Sequence, residues 1–295
     1  MTWTGPKAMV LHQDDVGMCH GANVAYAELT QFGTCSSGSV MVPCPWFREA
    51  AEMARVVPGA DMGVHLTLTA EKEHYRWRPL TGASRASGLV DEEGLMWRDV
   101  PSVRRSADPS AVAEELEAQI EAAYTLGIDV THLDGHMGGV FAPEFCHIYL
   151  ALAGKYRLPL LLTPSYDSYG STGNLGEIGD PGPYAEVVAE AQRSGFTLFD
   201  QVFESIWEDL DDIDGAYRRL ISGAAGDLVF AALHFNAPGD IQAIDPPTGA
   251  RVRVGEYDLF RRQDFKDWLL GQEREVIGMR PLRDRLRAKD GAAPA

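Results

Sequence analysis

Positive charge is what this chain is short of. It carries 26 Lys and Arg against 43 Asp and Glu, a formal net charge of -17. A field of that sign repels phosphate backbones and anionic headgroups, so neither nucleic acid nor a membrane surface is an expected partner. Cysteine is scarce as well. Cys19, Cys35, Cys44 and Cys146 form no CxxC pair. That spacing builds neither a zinc ribbon nor a disulfide framework, so the four are expected as buried free thiols in a reducing, cytoplasmic compartment. No apolar run approaches the roughly 20 residues of a spanning helix. The N-terminus has no charged stretch leading into an apolar one, as a signal peptide would. What is present is core material: 45% of the 295 residues are hydrophobic. No repeat or linker composition divides them, so residues 1–295 are expected as a single domain.

Apolar runs and helical spacings alternate along the chain. Lys7–Gln13 reads as a strand delivering Asp14-Asp15, Gly21–Phe32 as a helix stopped by Gly33, and Ser36–Val42 as a strand. A helix over Trp46–Val56 and a strand over Ala60–Leu68, carrying His65, follow. Pro109-Ser110 opens a helix with its body at Ala111–Leu126, ahead of a strand over 129–136. Phe141–Lys155 reads as a helix, Leu158–Thr163 as a strand, Tyr184–Ser194 as a helix and Phe196–Phe199 as a short strand. Leu210–Ser222 is amphipathic, Asp227–Leu233 is a strand ending at His234, and Glu256–Leu270 and Glu275–Met279 read as a last helix and strand. Ala288–Ala295 reads as a frayed tail. Strand–helix repetition of this kind implies a parallel sheet with crossover helices. About seven such units predict a seven-stranded or distorted TIM-like (β/α) barrel, with a doubly wound open sheet as the alternative. Segment 70–108 breaks the rhythm and is too long for a plain connector, so it is expected as a wall or lid over the site, or as a dimer contact. Segments 164–183 and 236–254 read as Pro- and Gly-rich loops.

Polar residues gather at predicted strand ends: Asp14-Asp15, His65, His132/Asp134/His136 and His234. In α/β folds that is the end where ligands bind. Thr131-His132-Leu133-Asp134-Gly135-His136 alternates, so its two imidazoles and its carboxylate should share one face. Two histidines and a carboxylate around an open position suit a metal that also takes water and substrate. A lone histidine at a strand end is as readily a hydrogen-bonded structural group, and an Asp pair there as readily a turn or cap; convergence is what argues for chemistry.

Gln13-Asp14-Asp15-Val16-Gly17, Gly63-Val64-His65-Leu66-Thr67-Leu68-Thr69 and Thr131–His136 resemble the motifs of the YdjC-like (ChbG-type) carbohydrate or chitooligosaccharide deacetylases, in order, from residue 8 to about 140. A weaker similarity continues to about 280. The resemblance implies a (β/α) barrel, a divalent metal (Mg or Zn) and removal of acetyl from an N-acetylated sugar. By motif position it implies Asp14 as general base, Asp15, His65 and His136 as metal ligands, and His132 and Asp134 as groups that orient ligands or touch substrate. His234 is the candidate acid for the departing amine, and Trp46, Trp77 and Trp97 are candidate sugar platforms. The chain departs from the family in three places. Met137-Gly138-Gly139 stands where a further histidine is usual, Leu158–Thr163 carries no arginine, and the late His-Pro-Gly element is stretched to His234–Gly239. Two other readings stay open: a metal-dependent hydrolase of another bond, such as a phosphoester, and a non-catalytic sugar-binding barrel. No cluster of Arg or Lys around the motifs favours the phosphoester.

Overall fold

A computed structural model describes residues 3–169, 172–208 and 210–288. Its strands are β1 (Ala8–Val16), β2 (Ser37–Val40), β3 (Met62–Leu66), β4 (Val130–Gly135), β5 (Gln201–Glu204), β6 (Leu228–Leu233) and β7 (Glu275–Val276). Its α-helices are α1 (His20–Phe32), α2 (Phe47–Val56), α3 (Val100–Ser106), α4 (Pro109–Thr125), α5 (Cys146–Tyr156), α6 (Gly182–Arg193), α7 (Ile213–Ser222), α8 (Ile241–Ile244), α9 (Pro247–Phe260), α10 (Gln263–Leu270) and α11 (Arg280–Ala288). None is long and apolar enough to cross a membrane.

The strands lie in the order β4-β3-β2-β1-β6-β5, with β7 paired to β1. Every pairing is parallel. The first half of β1 and the whole of β6 are apolar on both faces and buried, as the interior strands of a parallel sheet covered by helices must be. The ends of this order are joined through residues 159–162. Leu133 N–H donates to Pro159 O (2.9 Å), Leu161 N–H to Leu133 O (3.0 Å) and Phe199 N–H to Leu162 O (2.9 Å). The sheet is thus of (β/α)-barrel type, with its last seam held by isolated bonds and not by a regular ladder.

That seam corrects the expected strand at Leu158–Thr163, where only a single bridge, Leu133 to Leu160, forms. Pro159 has no N–H to give to a ladder. The expected strand at Phe196–Phe199 begins instead at Gln201. The expected helix from Phe141 starts at Cys146, because Ala142 precedes Pro143 and is pushed out of helical backbone. The largest correction lies at 236–254, read as a loop. It holds α8 and the first half of α9, whose Pro247 sits at the first helical position, where a missing N–H costs nothing. The single helix expected over Glu256–Leu270 is two, parted where Arg262 turns extended. Of the expected C-terminal tail, Ala288 closes α11 and the rest lies outside the described residues.

Helix ends follow their local chemistry. Gly33 takes left-handed φ (92°) and donates its N–H to Leu29 O, stopping α1. Asp99 and Asp108 cap α3 and α4 through Ser102 N–H and Ser110 N–H. A continuous apolar core includes Leu11, Tyr26, Leu133, Tyr149 and Phe230. Each fully buried aliphatic side chain there contributes roughly 1.5–3 kcal/mol. Tyr149 also donates its hydroxyl to Leu133 O at 2.6 Å, which locks α5 onto β4 below the site.

Candidate metal centre and catalytic cleft

Two β-bulges build the site. Between Gln13 and Val16, β1 places two residues against the single Ser39 of β2. The extra residue is accommodated at Asp14-Asp15, and Asp15 adopts left-handed backbone (φ 61°), which Asp tolerates better than most side chains. Strict alternation would send neighbouring aspartates to opposite faces; the bulge lets both face the strands' C-terminal end. In the same way β4 sets Thr131 and His132 against the single Gly63 of β3. A Cβ on Gly63 would lie 2.5 Å from the His132 ring, so only glycine leaves room for it.

Asp15, His65 and His136 converge, their ligating atoms all within 4.8 Å of one another and buried. Asp15 Oδ1 lies 3.4 Å from His65 Nε2 and 3.1 Å from His136 Nδ1. Two atoms each about 2.1 Å from one ion stand about 3.0–3.4 Å apart, for right-angle and tetrahedral arrangements. Neither Asp15 oxygen receives a well-directed hydrogen bond, although both are buried. The far nitrogens of the two imidazoles are occupied. His65 Nδ1 faces Asp134 Oδ1 at 3.0 Å, and His136 Nε2 faces Glu71 Oε2 at 2.9 Å. With those N–H groups donated outward, the inner nitrogens face Asp15, and in the neutral rings each would offer its lone pair to an ion, the arrangement in which histidines ligate metals. Ser39 steadies it by donating to Asp134 Oδ2 at 2.8 Å.

The electrostatics agree. Burial works against charge on Asp15, but Arg253, whose Nη1 is 2.8 Å from Oδ2, holds its carboxyl well below the usual range. Burial also works against charge on His65 and His136. Asp134 beside the first, and Glu71 and Asp15 beside the second, outweigh it and raise both pKa values. The same negative groups that draw a proton onto each ring would favour a cation bound at the inner nitrogens in its place.

A cleft of about 880 Å³ opens over this centre, lined by Asp14, Asp15, His65, Glu71, His136, Glu204, Trp207, His234 and Arg253 among others. Asp14 is partly exposed, with Oδ2 3.9 Å from His234 Nε2. His234 directly follows β6 and meets Ser205 Oγ through Nδ1 at 2.8 Å. Burial and Arg253 together pull its pKa down to about 4, so it rests neutral. His132 and Asp134 are not among the lining residues. Both are buried beneath them, Asp134 behind His65 and His132 against His12. The sequence expectation that these two could touch substrate is corrected on that point.

Several lining groups lay outside the sequence reading. Arg253 sits on α9, inside the stretch read as a loop. It pairs with Asp245 (2.8 Å), which also takes Lys72 Nζ at 2.6 Å, while Lys72 reaches Glu71 at 2.8 Å. The cleft wall thus carries two cations brought in by the fold, and both are spent on carboxylates. Glu71, Lys72, Glu73 and His74 bring the start of segment 70–108 to the cleft wall. Among the tryptophans, Trp77 is buried, Trp97 donates to Gly88 O, and Trp46 packs against His20. Trp207, half-exposed with its ring 4.7 Å from the His234 ring, is the one that lines the cleft. All four cysteines are free and buried.

The chain is 40% identical over 163 residues to a carbohydrate deacetylase of Thermus thermophilus, covering 55% of this chain and 56% of that protein. It is 32% identical over 158 residues to a carbohydrate deacetylase of Thermoanaerobacter pseudethanolicus, covering 54% and 61%. The matches thus span little more than half the length of these curated relatives. A solved structure from Enterococcus faecalis, provisionally described as a cellobiose-phosphate cleavage protein, superposes with a TM-score of 0.75 over 94% of this chain and 99% of that one. At 22% identity it speaks for the fold alone. A sequence model of the YdjC-like protein family matches residues 8–270, and the chain belongs to that family.

Proposed function

We propose that the protein is a metal-dependent hydrolase that removes the acetyl group from an N-acetylated sugar or oligosaccharide. The observation that carries this reading is the centre itself: two imidazoles with their outer N–H groups donated to carboxylates, their inner nitrogens turned toward an Asp15 carboxylate whose oxygens receive no well-directed hydrogen bond. The naming of the relatives as carbohydrate deacetylases supports the substrate class. Asp15, His65 and His136 would hold the ion. Two nitrogens and an oxygen suit zinc; magnesium would draw its remaining oxygen donors from water. Such an ion polarises the amide carbonyl and acidifies water beside it.

The chain's own groups do the rest. Asp14 stands next to the centre with Oδ2 toward the cleft and takes a proton from the attacking water as the C–O bond forms. His234, 3.9 Å from that oxygen, passes a proton to the sugar nitrogen as the C–N bond breaks, leaving acetate and a free amine. Since His234 rests neutral, the proton it delivers reaches it during turnover. Arg253 keeps Asp15 ionised. Trp207 offers an apolar face to a pyranose, and the wall at Glu71–His74 makes segment 70–108 part of the substrate enclosure. The buried free thiols favour a cytoplasmic location. The phosphoester alternative gains nothing from Lys72 and Arg253, since both are neutralised within the protein.

The test is acetate release from N-acetylglucosamine oligomers by protein stripped with EDTA and reloaded with Zn or Mg. Release only in the reloaded samples is expected. No release with either ion, across N-acetylated sugars of several lengths, overturns the reading.

A further inference from the structure

Behind the cleft a second group of buried titratable side chains runs through the sheet: His12, His132 and Asp134, with Thr131 and Asp61 beyond. Residue types and burial match those of the metal centre, yet the nitrogens are used differently. The direction of each hydrogen bond can be worked out from the far end. Asp61 accepts from Ser37 Oγ (3.1 Å) and from the Arg280 backbone N–H (2.7 Å), so its carboxylate is an acceptor. Thr131 spends its one hydroxyl hydrogen on Asp61 Oδ1 at 2.5 Å. Thr131 Oγ1 can then only accept from His132 Nδ1, 2.9 Å away, which puts a hydrogen on Nδ1. Burial and the neighbouring His12 push the His132 pKa down to about 3, so its ring is neutral and Nε2 is bare. His132 Nε2 therefore accepts from His12 Nε2–H at 2.9 Å. What remains of His12 is Nδ1, 2.6 Å from Asp14 Oδ1.

We propose that His12 is a positioning residue for this site: the chain Asp61–Thr131–His132–His12 fixes its ring, and the ring holds Oδ1 of Asp14 so that Oδ2 faces the cleft. The inference rests on the reading of Asp14 as the general base. A base orients its acceptor oxygen usefully only when its other oxygen is held, and here a ring packed on Phe230 (centroids 4.7 Å apart) does the holding. A second metal is the rival use of these residues. It finds no free donors, because His132 has both nitrogens engaged and His12 has one on His132 and one on Asp14.

The test uses the full chain loaded with Zn. Long-range nitrogen–proton NMR of the histidine rings reads which nitrogen bears hydrogen, independently of any activity. The expected map has the His132 hydrogen on Nδ1. Thr131→Val, which deletes the acceptor, shifts it; Thr131→Ser restores it. In kinetics with N-acetylglucosamine oligomers, His12→Asn and His12→Gln both lower kcat by about 10–100-fold with KM and bound zinc unchanged. Two variants guard against one that fails to fold. A His132 hydrogen on Nε2 in the unaltered chain, wild-type kcat in a folded His12 variant, or a second zinc lost on substituting His12 overturns the proposal. If the unaltered chain releases no acetate, the deacetylase reading fails on its own, and the ring map alone still decides whether the chain of bonds exists.

Discussion

The metal centre and the relay behind it are built from the same materials. Each has two histidines and an aspartate, each lies in the buried interior, and each is seated on a β-bulge. The difference is where the lone pairs and hydrogens go. In the relay every nitrogen has a protein partner: His12 meets His132 and Asp14, and His132 meets Thr131. At the centre only the outer nitrogens are well hydrogen-bonded; the inner ones crowd on Asp15 Oδ1, and neither Asp15 oxygen receives a well-directed hydrogen bond, though Arg253 lies 2.8 Å from Oδ2. Composition and burial do not distinguish a ligand set from a structural network; the balance of donors and acceptors does. A closed balance makes a rigid support, and an open one makes a place for an ion.

Substitutions break this comparison in graded ways. Asp15→Asn should have the largest effect. Asn also tolerates left-handed backbone, so the bulge survives while an anionic donor is lost. Metal affinity and deacetylation should fall together, by about 10³-fold or more, since the ion supplies several kcal/mol to the reaction. Metal analysis and acetate release on one sample check it. Asp14→Asn should retain its metal and lose about 10²–10⁴-fold in kcat, the usual cost of removing a general base. Loss of metal instead would mean that the roles of the two aspartates are exchanged. Asp134→Asn joins the two regions, because Asp134 serves His65 on one side and lies 3.4 Å from His12 Nε2 on the other. It should weaken metal binding by about 10–100-fold, read by competition with a chelator. Gly63→Ala strikes the relay alone. Its Cβ meets the His132 ring, so thermal unfolding should show a loss of about 1–3 kcal/mol with the metal still bound.

Much of the centre could be read in the sequence because its residues sit where strand periodicity sends them. Asp14-Asp15, His65 and His136 each end an apolar or alternating run, and the run marks the end of the barrel at which they emerge. Alternation also put His132 and Asp134 on one face correctly, but it could not tell the cleft from the layer beneath it. That depends on a one-residue bulge, which leaves no mark in an alternating pattern. His12 did leave a mark, being a lone imidazole two residues before Asp14 in an apolar run. Arg253, Asp245 and Glu71 left almost none. They arrive from α9, the turn before it and the start of the long segment after β3, and ion pairs spanning 65 residues or more are a product of the fold. The helix carrying Arg253 was hidden in a Pro- and Gly-rich stretch, although Pro247 stands at its first position.

Metal stoichiometry tests the central claim most directly. Protein stripped with EDTA is reloaded with zinc, freed of excess, and analysed for bound ion in the unaltered chain, Asp15→Asn and His132→Gln. The account predicts one ion per chain in the unaltered protein and in His132→Gln, and loss of that ion in Asp15→Asn. Two ions per chain, or an ion that survives Asp15→Asn and departs with His132→Gln, would contradict it.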